Sequence, residues 1–598
     1  MKRACLLGFL VTTSLASAEI KYTVEVKPDA GMLHVVMQIP NTNTGAKLQI
    51  PNWAPGAYML RDSFKQVQNL KAKDGSGRDL AIKQDITISR RFYTLPSRQD
   101  VALNEVCTWT VAPAKDTTIE YDIPSRFTGP VTHWSGPSTY MYEVNRKEEK
   151  CLLTVRVPTG WQVFNGLDER ATTVFTAPDY DVLADNPVTA GSDLLVDTYT
   201  VLGKKHTIVM RGAPKSQVDR AKLIKACQHV TEMETHFFGN EAPYKHYVWH
   251  FDVNGAPDGA GGLEHLSSTQ ITLAAGVGPR AVSVLSHEFF HLWNVKRIRS
   301  RVLGPFDYQK LPSTGALWWL EGVTDYYASY LLYRSGWTTE KDLFSQVNRL
   351  YQNVSRNSAF GTVSANEASL RMPETNNGRG NSNGYLLSYY DLGWLAGMCL
   401  DLNLRHATGG RHSLDDVTRA LWKECRDNQP GFPEDEIRNQ YVRLGGSAEA
   451  YDRIVNQPSM PVPEALALGG LKVGTEQVPF TDLGFTWSMP GPGVTALVVM
   501  EAHGPAAGKL MARDTLISIN GKKIEGNGPR GLGEAIRAAT EGAEVGKPMK
   551  VVVQREGKEQ EFEITPSQGQ RETTVVSRNA DADNLLKAIG AGWLKQEN

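Results

Sequence analysis

Cysteine is scarce in this chain, charge of either sign is not in excess, and long apolar runs are missing beyond its first residues. There are 6 cysteines in 598 residues. Cys107, Cys151, Cys227, Cys399 and Cys425, those beyond the first few residues, stand too far apart for a disulfide scaffold. Cys107 with Cys151 is the first pair open to bridging, since both fall in one β-patterned region; burial as free thiols is the equal alternative. A formal net charge of -1 gives no reason to invoke nucleic acid. No later segment is apolar for long enough to make a permanent membrane span. Hydrophobic content of 41% and charged content of 22% suit a soluble globular protein, and the length asks for several domains with ample core.

The start of the chain reads as a transport signal. Lys2 and Arg3 precede an apolar stretch over residues 4–15, and Ala16, Ser17 and Ala18 supply a small-residue cleavage site before Glu19. Residues 1–18 are therefore expected to be removed, leaving an exported protein, periplasmic or secreted.

What is present is concentrated at residues 287–291, His-Glu-Phe-Phe-His. Positions i and i+4 share one face of a helix, so His287 and His291 can grip one metal ion while Glu288 reaches a water on it. Val282, Leu285, Phe289, Leu292 and Trp293 recur at helical spacing, and neither Pro nor Gly interrupts residues 281–295, which predicts a helix there. Downstream, Leu317-Trp318-Trp319-Leu320-Glu321 carries a carboxylate into a second apolar, helical stretch. Burying that glutamate unpaired would cost several kcal/mol, a penalty that coordination of a cation removes. Glu321 is therefore the expected third ligand. Asp325, four residues on, is placed to hold the tautomer of a metal-bound histidine, with an ordinary surface aspartate as the alternative. Three protein ligands leave a fourth position on a single Zn2+ open, as catalytic rather than structural sites do.

These motifs resemble the glycyl aminopeptidases, metallopeptidase family sixty-one, within the gluzincin or thermolysin-like superfamily. The resemblance lies in HEFFHLWNVKRIRS at 287–300, FDY at 306–308 and LWWLEGVTDYY at 317–327, and extends to NWAPGAYMLRD at 52–62. It implies one zinc per chain and release of small first residues, glycine or alanine. Two further positions follow from it. DGAGGLEH at 258–265 is similar to a glycine-rich exopeptidase motif, so Gly261 and Gly262 would let a strand edge approach the substrate and Glu264 would hold its free amino group. His265 stands where related enzymes carry asparagine. Tyr390, in SYYDLG at 388–393, is similar to the tyrosine that supplies an oxyanion donor, with Leu392 replacing a lysine common there. By aromatic periodicity alone, Tyr389 and Tyr390 would be core residues.

The resulting expectation is a multidomain α+β protein. Residues 19–196 alternate polar and apolar positions between turns, as an antiparallel β domain resembling a sandwich does. A mainly helical, thermolysin-like catalytic domain would span 197–460, with a linker over 461–476. The basic run Lys296, Arg297, Arg299 and Arg301 is expected to be the solvated end of the metal helix. An Asn, Ser and Gly-rich loop over 361–384 either covers the site or is a surface excursion. Residues 477–572 resemble a PDZ domain, with Asn520-Gly521 at a tight hairpin, Arg513 in a turn where glycine is usual, and Leu483, Gly484 and Phe485 placed to capture a peptide C-terminus. The alternative is a module that merely packs against the rest. Residues 573–598 read as a tail. Catalytic residues would be Glu288 as general base and Tyr390; a peptide is the expected substrate. The competing readings are an endopeptidase of the same fold and a noncatalytic peptide-binding protein.

Overall fold

Period-two burial builds the first third of the molecule. Along Ile20–Lys27, residues Ile20, Tyr22, Val24 and Val26 turn inward, and Leu33, Val35, Met37 and Ile39 answer them from Met32–Pro40 across an antiparallel pair. The computed structural model describes residues 19–94, 99–254, 260–274, 276–372, 387–426, 431–488, 496–526 and 528–597. The leader predicted over 1–18 lies outside these, as do residues 373–384 of the expected loop.

The hairpin sits inside a seven-stranded sheet whose one parallel pair joins Ile20–Lys27 to Cys151–Arg156. A four-stranded sheet carrying the long hairpin Ile82–Thr94 and Gln99–Val111 shares its core. Cys107 lies on the four-stranded sheet and Cys151 on the seven-stranded one, and no bridge joins them: all five described cysteines are buried free thiols. Cys151 Sγ donates to the Glu149 carbonyl at 3.4 Å, and Cys107 Sγ accepts from Gln84 Nε2 at 3.3 Å.

The border predicted between residues 196 and 197 falls inside a strand, Leu195–Val201, which opens a second sheet. Its order is Leu195–Val201, Lys204–Arg211, Tyr247–Asn254, Ser268–Ala274 and, at the edge, the glycine strand Ala260–Glu264. The helices that matter to the site are α1 (Tyr180–Asp185), α2 (Arg220–Phe237), α3 (Pro279–Phe290), α4 (Thr324–Arg334), α5 (Glu340–Ser355), α6 (Ala365–Leu370) and α7 (Tyr389–Ala407). Among the described residues no helix is long and apolar enough to cross a membrane.

The chain divides into two compact units, one formed by residues up to Lys472 together with Arg578–Asn598, the other by Val473–Ser577. Two expectations are corrected here. The predicted linker contains a helix, Val462–Leu468, because Val462, Ala465 and Leu466 are apolar at helical spacing and bury their face. The predicted tail returns to the first unit. Its helix Asn584–Trp593 seats a fully buried Trp593 against α4, where the Trp593 Nε1 donates to Tyr326 Oη (3.0 Å) and Tyr330 Oη donates to the Trp593 carbonyl (2.6 Å). The chain passes between the units at a closed neck, with the Asn579 amide donating to the Gly470 carbonyl at 2.8 Å.

In the second unit a six-stranded sheet packs on the helix Gly528–Thr540 over a core that includes Phe485, Val499, Leu516, Leu532, Ile536 and Val551. Asn520 and Gly521 both take positive φ, 47° and 77°, in a two-residue hairpin closed by Ile519 and Lys522, as the sequence requires. Arg513 has φ 74° at the turn where glycine is usual. In the loop expected to capture a carboxylate, the Gly484 amide donates to Asp482 Oδ1 at 2.8 Å and Leu483 is buried in the core.

Trp593→Ala, which removes a large buried ring, is expected to cost roughly 3–5 kcal/mol, measured as a fall in denaturant midpoint against the unsubstituted chain.

Candidate active site

Helix α3 starts at Pro279, whose fixed φ and missing donor suit a first turn. Ala281, Val282, Leu285 and Phe289 bury one side of it. The other side, Arg280, Ser283, Val284, His287 and Glu288, lines a cavity of about 420 Å³. The helix ends at Phe290, earlier than residues 281–295 predict, and His291 is its C-cap with φ -60° and ψ -17°. The reason is the work of Asn294. Its carbonyl turns back to lie 2.6 Å from His291 Nδ1, and its side-chain amide donates to the Trp319 carbonyl and to Thr324 Oγ1, both at 2.9 Å. One residue thereby orients a ring and ties the end of α3 to the segment that carries Glu321.

That segment, Trp318–Val323, is a single π-helical stretch running into α4, a distortion frequent at functional sites. Two glycines let it lie backbone to backbone with α7: a Cβ on Gly322 would sit 2.5 Å from Gly393 Cα, and one on Gly393 would sit 2.1 Å from the Trp318 carbonyl oxygen. The crossing sets the start of α7 beside the histidines, with the Tyr390 and His287 ring centroids 6.3 Å apart. Tyr390 lines the cavity, whereas Tyr389 is fully buried.

His287, His291 and Glu321 converge. The two Nε2 atoms are 2.9 Å apart, and Glu321 Oε2 lies 3.5 Å from His287 Nε2 and 3.3 Å from His291 Nε2. Atoms that share one ion at about 2.0–2.2 Å lie roughly 3–3.6 Å apart, so two imidazoles and a carboxylate in this arrangement can hold a divalent metal. Asp325 Oδ1 is 2.7 Å from His287 Nδ1, the position expected of a group that fixes that ring. Burial raises the Glu321 carboxyl, but the His291 and His287 imidazoles outweigh it and hold the group down at about 2. Glu288 is the opposite case. Burial pushes its carboxyl up to about 7, opposed by both histidines and reinforced by the Glu264 and Glu321 carboxylates.

The glycine strand Ala260–Glu264 brings the next groups, although Asp258 and Gly259 of its motif lie outside the described residues. A Cβ on Gly262 would meet the Glu288 carboxyl carbon at 2.4 Å, so only glycine lets the strand pass the base; one on Gly261 would meet nothing. Glu264 is 4% exposed and lines the cavity, and its carboxylate makes no hydrogen bond among the described residues. His265 is buried with Nδ1 3.5 Å from Asp185 Oδ1 at the end of α1.

The expected solvated run is corrected for Lys296 and Arg297, while Arg301 is exposed as expected. Lys296 is 7% exposed and pairs with Asp185 at 2.6 Å, while Arg297 donates to the carbonyls of Leu292 and Pro243. Buried carbonyls and a buried carboxylate, not solvent, receive these cations. Sequence reasoning assigned no role to Asn294, or to Gly56 and Tyr58 in the motif at 52–62. Gly56, at φ 89°, abuts Glu264, since a Cβ there would lie 2.6 Å from both its carboxylate oxygens. Tyr58 is buried, and desolvation together with the Glu321 and Glu264 carboxylates keeps its phenol protonated. A histidine-glutamate motif with an asparagine three residues after its second histidine, and a glycine two residues before a tyrosine in the N-terminal domain, were the available signals.

Residues 280–396 match the family model described as M61 glycyl aminopeptidase, and residues 21–192 match that of the peptidase M61 N-terminal domain. Among solved structures, an aminopeptidase N family protein from Idiomarina loihiensis is similar in fold, with a TM-score of 0.73 and 22% identity over 96% of this chain and 100% of that one. No curated protein matches the chain.

Asn294→Leu keeps the size of the side chain and loses both donated bonds. Metal affinity is expected to fall about 10- to 100-fold, measured by equilibrium dialysis.

Proposed function

The chain belongs to the M61 peptidase family, and from that premise we propose that it is an exported zinc aminopeptidase releasing small first residues, glycine or alanine, from peptides. The observation that carries the exopeptidase part is Glu264. A carboxylate that is 4% exposed and unpartnered among the described residues stands in the wall of the cavity that holds the metal-binding group. Leaving it so is costly, and an incoming ammonium removes the cost.

His287, His291 and Glu321 would hold one Zn2+, with Asp325 and the Asn294 carbonyl fixing the two rings. A zinc ion there supplies an acidified water and polarises the scissile carbonyl. Glu264 binds the free amine and so fixes the cut one residue from the N-terminus. Glu288, held beside Gly262 and raised to about 7 by burial, takes a proton from the attacking water and passes it to the departing amine. Tyr390, in the cavity wall, donates a hydrogen bond from its phenol to the oxyanion, an interaction made in the transition state. The preference for glycine and alanine rests on the family resemblance. Export rests on the charge, apolar core and small-residue pattern of residues 1–18. A noncatalytic binding protein would have no chemical use for Glu288 beside an intact ligand set.

Glu288→Gln is expected to keep its zinc, measured by atomic absorption, and to lose turnover by about 10²- to 10⁴-fold; near-normal rates would remove Glu288 as base. Glu264→Ala is expected to lower kcat/KM for free-amine glycyl substrates roughly ten- to a hundredfold and to leave N-acetylated ones little changed. Equal losses on both would point to an endopeptidase.

A further inference from the structure

The cavity that holds the metal-binding group is polarised from end to end. Along α3, Arg280, Ser283, Val284 and His287 follow one another at i, i+3, i+4 and i+7 and all line it. Glu264 lies toward the His291 end, where its charge acts on both Glu288 and His291. Arg280 lies seven residues before His287, about 10 Å along the helix axis. Arg349 of α5 lines the same cavity, with Asn353 one turn further on.

Neither arginine makes an ion pair among the described residues; Arg349 donates from Nη2 to Gln346 Oε1 at 2.8 Å, and its charge favours ionisation of the neighbouring Asp391 carboxyl. Of the acids in the same wall, Asp325 faces His287 at 2.7 Å, and Asp391 stands in the field of Arg349 and is hydrogen-bonded by Asn353. Two guanidiniums with no ion pair among the described residues thus stand at the opposite end of the cavity from a carboxylate that has none there either.

We propose that Arg280 and Arg349 bind the terminal carboxylate of the substrate, so that the preferred substrates are free di- and tripeptides rather than the ends of long chains. This rests on the aminopeptidase reading, with Glu264 on the amine. A peptide extends about 3.3–3.6 Å per residue. With the amine on Glu264 and the first carbonyl at the metal-binding group, one or two further residues bring the carboxylate within reach of the long arginine side chains. A guanidinium suits that group because it offers two parallel donors to the two oxygens. A peptide amide presents no such charge, and an internal stretch of a longer chain presents none at that distance.

The test uses the zinc-loaded full chain and compares kcat/KM for glycyl-alanine and glycyl-alanyl-alanine with their C-terminal amides, alongside glycine 4-nitroanilide. The acids are expected to exceed the amides about tenfold or more. In Arg280→Ala with Arg349→Ala that ratio is expected to collapse toward one through a raised KM for the acids, and the double lysine variant should restore part of it. Equal cleavage of acid and amide by the unsubstituted chain, or a ratio that the double alanine variant does not move, would overturn the proposal. If the anilide is cut while acid and amide do not differ, only the carboxylate site is lost. If no free-amine substrate is cut by the zinc-loaded chain, the aminopeptidase reading fails and the proposal falls with it.

Discussion

Glu321 against two imidazoles is the contact on which the rest of the first unit depends. Bringing that carboxylate out of water is costly, and two histidines at 3.3 and 3.5 Å are what make it tolerable. Each neighbouring device maintains the approach. The π-helical stretch aims the glutamate, the Gly322 and Gly393 crossing lets α7 lie against it, and Asn294 bonds the end of α3 to the residues on either side of it. Loosening any of these would leave a buried charge without its partners, an outcome worse than never having buried it.

Polarity is distributed around that contact by distinct parts of the chain. The N-terminal domain contributes Gly56 and Tyr58 beside Glu264, and the edge of the five-stranded sheet contributes Gly262 and Glu264 themselves. The buried pair of Lys296 with Asp185 fastens the segment after α3 to the end of α1 and draws His265 into the same cluster. The N-terminal β domain is therefore part of the site wall and more than a scaffold beside it.

Much of this was legible in the residues, for reasons of spacing. A pair at i and i+4 has one geometric outcome in a helix, and Asp325 at i+4 from Glu321 has nearly as few. The alternation of residues 20–27 and 32–40 likewise admits one reading. The features that escaped depend on contacts across the fold. Helix α3 stops at Phe290 because the Asn294 carbonyl turns toward a ring, which no local pattern encodes. The basic run looked solvated because its acceptors, Asp185 and the carbonyls of Leu292 and Pro243, are distant in sequence or on the backbone. The last residues were read as a tail because the surface they bury against is distant in sequence, although Leu585, Ile589 and Trp593 recur at helical spacing and Trp593 finds the aromatic face of α4. The partner of the Gly484 amide, Asp482, is an ordinary turn residue until its side chain is placed.

The neck at Gly470 and Asn579 has an architectural consequence. Because the chain departs and returns through neighbouring positions, with Asn579 bonded to Gly470 at 2.8 Å and the strands Leu471–Asp482 and Ser567–Arg578 paired beyond them, residues 473–577 form a cassette whose loss or exchange would leave the ends of its host only a short bridge apart. Recombination could trade that cassette for another while the peptidase around it kept both its active site and its C-terminal clasp.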